Sequence, residues 1–282
     1  MLAGRCDGWQ PVAVTALGRM PVGSRETRPM VVAIGASNLS RGLPRLVAAV
    51  RRRTSAADLL AVAGHGRSYG AASRVAWRRL PAVLRCGLWR AVERLDPAGD
   101  RPLRGVITDI GNDLLYGFSV EQTAAWVREC VTRLADRGAT IAITALPLES
   151  VLAAGPVRDR LLRTVFVPGC PLSLPELKSA ARRLDDEVRM IAAGQAATLV
   201  EQPGHWYGFD SIHVHRRCFD DLWGTACSAW GLPEPIGRPR VTLADWAGIG
   251  RRAAEVRSLA GLVRLTPQPV LRWPDGGTLS LY

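Results

Sequence analysis

The sequence predicts an α/β domain in which a parallel sheet of five strands is covered on both faces by helices. Three observations predict it. Five short runs are apolar along their length, as strands buried on both faces are. Stretches of helical period separate successive runs. Capping signals and glycines mark where helices begin and end. The first run is Met30–Ile34, closed by Gly35, with a helix-like stretch after it from Leu43 to Arg53. The second is Asp58–Ala63, followed by two helical stretches between Ala71 and Leu95. The third, Gly105–Ile110, leads to Ser119 and Gln122, a capping box for a helix running to Arg137. Val120, Ala124, Val127, Val131 and Leu134 recur at steps of four and three and form its inner face. Gly138 ends that helix and Ala139–Ala145 is the fourth strand. Ser173 with Glu176 caps the next helix, and Ala197–Val200 is the fifth strand.

Residues 1–29 lack clear periodicity and are expected to be a loosely ordered extension. The α/β domain is expected over 30–231, with a helical stretch from Cys218 to about Trp230. Residues 232–282 are expected to be a C-terminal appendage: a helix capped by Thr242 and Asp245, then a β-hairpin turning at Asp275–Gly277.

Composition narrows the function classes. The 282 residues are 48% hydrophobic, enough for a buried core, and carry 37 basic against 25 acidic side chains, a formal charge of +12. Lys178 is the sole lysine. The arginines are scattered, without aromatic interleaving, and no zinc-finger or RNP pattern appears, so no specific nucleic-acid motif is present. No charge-free run exceeds a dozen or so residues, short of the ~18 a transmembrane segment needs. The N-terminus does not resemble a secretory leader, because its short apolar run from Val12 is broken at Gly18. Six cysteines without a CxxC read as reduced thiols, which points to a cytoplasmic protein.

In open parallel sheets ligands gather beyond the carboxyl ends of the strands, so the chemistry is sought there. After the first strand stands Gly35-Ala36-Ser37-Asn38. A serine at a strand-to-helix turn can present its hydroxyl as a nucleophile, or simply cap the helix. After the second stands Gly64-His65-Gly66-Arg67-Ser68-Tyr69-Gly70, whose glycines leave main-chain N–H groups open to an oxyanion, or merely shape a loop. After the third stands Gly111-Asn112-Asp113, where an asparagine amide can donate to a developing oxyanion, or form a plain turn. Beyond the fifth stands Asp210-Ser211-Ile212-His213-Val214-His215. A carboxylate three residues before a histidine can orient its ring and stabilise the imidazolium. The two histidines could instead ligate a metal, but the additional ligand motifs of a metallophosphoesterase are missing.

In this order the four pieces resemble the SGNH (GDSL) hydrolase family of serine esterases and lipases. The resemblance spans about Met30 to Trp230 and implies a flavodoxin-like three-layer α/β/α fold. It implies Ser37 as nucleophile, His213 as general base and Asp210 as the residue orienting that base. It also implies an oxyanion hole from the Ser37 main-chain N–H, a loop glycine and the Asn112 amide; Gly66 matches the family's glycine best, with Gly64 and Gly70 as alternatives. No cofactor and no metal is implied, and the partner is an acyl-ester substrate. Two departures stand out. Ala36 replaces the family's aspartate before the nucleophile and Asn38 replaces the usual residue after it, so support for that turn must come from elsewhere, Asn38 or Asp113 being candidates. Asn38, Arg67 and Asp113 are also candidate substrate contacts, Arg67 favouring an anionic group. The alternative is a catalytically weak or inactive relative that binds a ligand through its basic surface.

Overall fold

The computed structural model describes residues 28–156, 170–208, 210–235, 237 and 241–282. The extension expected over 1–29 lies outside these residues, apart from Arg28 and Pro29. In chain order the elements are β1 (Met30–Ile34), α1 (Ser37–Arg51), β2 (Asp58–Val62), β3 (Ser73–Val75), β4 (Arg78–Leu80), α2 (Leu88–Leu95) and β5 (Leu103–Ile107). Then come α3 (Asn112–Leu115), α4 (Val120–Ala135), β6 (Thr140–Thr144), α5 (Leu148–Leu152), α6 (Leu174–Gly194) and β7 (Thr198–Val200). The chain continues through α7 (Phe219–Ala229), α8 (Leu243–Gly250), β8 (Val256–Leu259), β9 (Leu262–Leu265), β10 (Leu271–Arg272) and β11 (Thr278–Leu281).

The five strands expected from their apolar runs form the parallel array β2-β1-β5-β6-β7, the flavodoxin-like order. Alternation along each strand divides the core in two. Met30, Val32 and Ile34 of β1 point to the side covered by α4 and α6, where Val127, Val131, Leu184 and Val188 meet them. Val31 and Ala33 point the other way, onto Leu46, Val50, Phe219 and Trp223 of α1 and α7. The caps follow the sequence. The Ser119 hydroxyl accepts from the Gln122 N–H at 3.1 Å, one half of the expected box, while Ser173–Glu176 and Thr242–Asp245 form both halves. Among the described residues no helix is long and apolar enough to cross a membrane.

Two expectations are corrected. The sheet has seven strands, because the terminal hairpin joins it: β11 pairs in parallel with β2, and β10 pairs antiparallel with β11. The tail is therefore part of the central sheet rather than an appendage to it. Asp58 fixes this junction, accepting from Arg101 Nη2 at 2.7 Å and from Thr278 Oγ1 at 2.6 Å, with Arg28 Nε at 3.4 Å. A buried carboxylate needs such partners, since an unpaired one would be expelled to water or neutralised. The second correction concerns Ala71–Leu95. Only α2 is helical there; residues 73–80 form the hairpin β3–β4, which pairs through β4 with β8 in a separate antiparallel sheet β3-β4-β8-β9. A partner strand more than 170 residues away overrides the local helical period.

Candidate active site

Ser37 is the first residue of α1, directly beyond β1. The residue before it, Ala36, has no side chain able to cap the helix. Asp109 supplies the cap from β5's end: Oδ2 accepts the N–H of Ala36 at 2.6 Å and of Leu39 at 3.1 Å. Its other oxygen accepts from Asn38 Nδ2 at 2.8 Å. This is the support that the sequence leaves open. It comes from Asp109, not from Asp113, with Asn38 as its partner. Asp109 adopts φ +60°, a strained conformation that Asp tolerates better than most residues. A side chain on Gly35 would meet Thr108 Cγ2 at 2.7 Å and Asp109 Oδ2 at 3.1 Å, so only glycine lets the carboxylate approach this closely. The capping leaves the Ser37 main-chain N–H without a partner among the described residues, at the positive end of a fifteen-residue helix.

His213 sits opposite on the segment after β7. Its Nδ1 lies 2.8 Å from Asp210 Oδ2 and its Nε2 lies 3.1 Å from Ser37 Oγ. Donation from Nδ1–H to the carboxylate leaves Nε2 to accept the serine proton. Asp210 also accepts the main-chain N–H of His213 at 2.9 Å. Burial alone would raise the Asp210 carboxyl, but its bonds to the ring and main chain of His213 leave it below its ordinary value. Asn38 ties this segment to α1: Nδ2 donates to the Ile212 carbonyl at 2.9 Å and Oδ1 accepts the Val214 N–H at 2.8 Å. A bridge between Tyr207 and Val214 and a bond from the His215 N–H to the Trp206 carbonyl, 2.8 Å, close the segment's base. Both ring nitrogens of His213 are thus engaged within the chain, and among the described residues no three His, Cys, Asp or Glu side chains cluster as a metal site.

Asn112, at the start of α3, lines one cavity together with Ser37. Its Nδ2 lies a long 3.4 Å from the Arg67 carbonyl, so the amide is barely spent. Gly66 does not line that cavity. It adopts φ +65°, and its carbonyl accepts from Tyr116 OH at 2.5 Å. The Gly64 N–H is spent on the Ala36 carbonyl at 3.3 Å, while Gly70 packs against the Trp126 ring.

The other candidate contacts behave differently from expectation. Arg67 is 1% exposed and does not face the cavity; it donates to the main-chain oxygen of Tyr282, beyond β11, and burial lowers it to about 10. Asp113 is fully buried and accepts from the Ser68 hydroxyl and, at 3.1 Å, the Tyr69 N–H. Burial pushes its carboxyl up to about 6 against these bonds. Both therefore brace the second loop. Asn38 lines the cavity, but its amide is fully engaged. The cavity itself is apolar away from Ser37, with Leu114, Leu146, Val151, Leu174, Leu177 and Ala181 along its wall. His65 stands on the second loop, where desolvation and then the neighbouring Arg78, His213 and Arg41 charges hold its imidazole below its ordinary value.

The arrangement is one in which a hydroxyl can lose its proton to an imidazole as it attacks, with unspent N–H donors nearby. No family model and no curated protein sequence matches the chain. Among solved structures it is similar to the psychrotrophic esterase EstA from Pseudoalteromonas sp., at 13% identity over 70% of this chain and 94% of that one, with a TM-score of 0.37. It is also similar to LAE5, an α/β hydrolase from the metagenome of Lake Arreo, at 13% identity over 74% and 98% of the two chains and a TM-score of 0.43. A third is a member of the lipolytic protein G-D-S-L family from Veillonella parvula, at 10% identity over 71% and 96% and a TM-score of 0.40.

Proposed function

We propose that the chain is an SGNH-type serine hydrolase of carboxylic esters, working through an acyl-enzyme. The observation that carries this reading is the unbroken line from Ser37 Oγ through the His213 ring to Asp210, at 3.1 and 2.8 Å, opening on an apolar cavity. Ser37 Oγ attacks the ester carbonyl while Nε2 of His213 takes its proton. The oxyanion is held by the Ser37 N–H and the Asn112 amide, with the Gly66 N–H as the third donor. His213 returns the proton to the departing alkoxide, leaving the acyl group on Ser37. Water, deprotonated by the same ring, then attacks the acyl carbonyl; Ser37 leaves and regains its proton. Asp210 keeps the proton on Nδ1 throughout and stabilises the imidazolium. The reaction consumes only ester and water.

The lining of the cavity favours an uncharged, aliphatic acyl group rather than an anionic one, since Arg67 is not among the lining residues. The reading of a weak or inactive relative rests on Ala36 and on the basic surface, and the cap from Asp109 answers the first of these. Labelling with a fluorophosphonate, followed by mapping of the modified peptide, tests the proposal. Label on Ser37 that disappears in His213→Ala is the expected outcome; a folded wild-type protein that takes no label overturns the reading.

A further inference from the structure

Among the described residues, five large apolar side chains exposed to solvent belong to the small sheet: Val75, Trp77, Leu262, Val263 and Leu265. Trp77 is 72% exposed, Val263 68% and Leu265 76%. The two hairpin turns stand side by side, because the Ala260 N–H donates to the Trp77 carbonyl at 2.9 Å. One face of the sheet is anchored on the body of the protein by Ser73 and Leu80, both buried. Pairing puts Arg74, Arg79, Ser258 and Val263 in one row across the opposite face, with Leu265 two residues further along β9. β9 is an edge strand with all four of its residues exposed. Residues 73–80 and 256–265 hold five arginines and no acidic residue. None of the five forms an ion pair with another described residue.

An exposed apolar edge of this kind is a liability unless something covers it. The unpaired arginines choose the cover. A second copy of a chain with net charge +12 would bring like charges together, whereas an anionic lipid surface neutralises them. Tryptophan sits well at the headgroup level, and arginine stems lie along apolar surface while their heads reach phosphate. The sheet also adjoins the site: Val75 Cγ2 lies 2.8 Å from where a Cβ on Gly66 would stand.

We propose that β3, β4, β8 and β9 form a docking face for an anionic lipid bilayer, with Trp77, Val263 and Leu265 entering the headgroup–acyl boundary and Arg74 and Arg79 binding lipid phosphates. The docking itself is independent of the hydrolase reading; delivery of a lipid ester to Ser37 rests on it. The test is flotation of the full chain carrying Ser37→Ala with vesicles of phosphatidylcholine alone or mixed with phosphatidylglycerol, so that bound lipid is not consumed. Binding to the mixed vesicles, weakened by salt, is expected, with a loss of roughly tenfold or more in Trp77→Ser/Val263→Ser/Leu265→Ser and in Arg74→Gln/Arg79→Gln. Circular dichroism checks that both variants are folded, and with Ser37 intact both should keep fluorophosphonate labelling. No flotation, equal binding to neutral vesicles, indifference to both sets of substitutions, or a dimer in light scattering that the apolar variant dissolves overturns the proposal. Labelling without flotation removes the docking face and leaves the hydrolase; flotation without labelling does the reverse.

Discussion

On one side of the cavity, Ser37, His213 and Asp210 are joined by bonds of 3.1 and 2.8 Å, and Asp109 and Asn38 bind the two supporting segments to each other. On the other side, Asn112 reaches only the Arg67 carbonyl at 3.4 Å, and behind it Gly66, outside the cavity lining, is held through its carbonyl, not its N–H. The proton-handling side is closed by side-chain carboxylates before any ligand arrives, while the donor side keeps its N–H groups in reserve. A preorganised donor is useful only when it is unspent, because a bond already made would have to be broken as charge develops.

The comparison is broken most severely at the proton-handling side. Ser37→Ala or His213→Ala should lower ester turnover by ~10⁴-fold or more while leaving the melting curve near wild type; a His213→Ala enzyme that kept a tenth of its kcat would show that the ring takes no proton. On the donor side, Asn112→Ala should cut kcat by ~10²–10³ with little change in KM, since its bond forms in the transition state. Asp109→Ala separates support from chemistry. It strands the N–H groups of Ala36 and Leu39 and the Asn38 amide, and should cost about 2–4 kcal/mol in urea unfolding. It should also slow labelling of Ser37, whereas a labelling rate equal to wild type would mean the turn holds without its cap.

The smallest effect concerns the brace behind the donor side. Burial raises the Asp113 carboxyl to about 6 in the folded chain, above its ordinary value of 3.8. Between those values the folded state holds a proton that the unfolded state has lost. The stability this group contributes is therefore complete below about pH 4 and is lost as pH rises through about 6. The difference amounts to at most about 3 kcal/mol. Asp113→Asn should remove it, so the variant gains on wild type between pH 4 and pH 7 in paired urea titrations; parallel curves would show that Asp113 is ionised throughout.

The five parallel strands were legible because each is a local apolar run; as candidates, Ser37 and Asn112 were marked by standing just beyond such runs, and His213, well past β7, by its spacing from Asp210. Asp109 was not, although one signal was present: it is a charged residue inside Gly105–Ile110, a run expected to be a continuous buried strand, and the strand ends before it at Ile107. Arg67 and Asp113 misled in the opposite sense. A charge in a loop suggests contact with solvent or substrate, and only the folded chain brings Tyr282 and Ser68 to them. The hairpin β3–β4 and strand β11 depend on partners far along the chain, β8 for the first and β2 for the second, which no local period encodes.

The bond from Arg67 to the Tyr282 main-chain oxygen spans 215 residues of sequence. During synthesis, β1, β2 and β5 emerge early and can pair at once, at ~5–20 residues per second. The loop that carries Gly66 nevertheless stays without this anchor until Tyr282 has left the ribosome and β11 has found β2. A chain cut before Tyr282 would carry the serine and its histidine but not a braced donor loop. The bracing of that loop is thereby tied to the docking of β11 rather than to the strands that carry the serine.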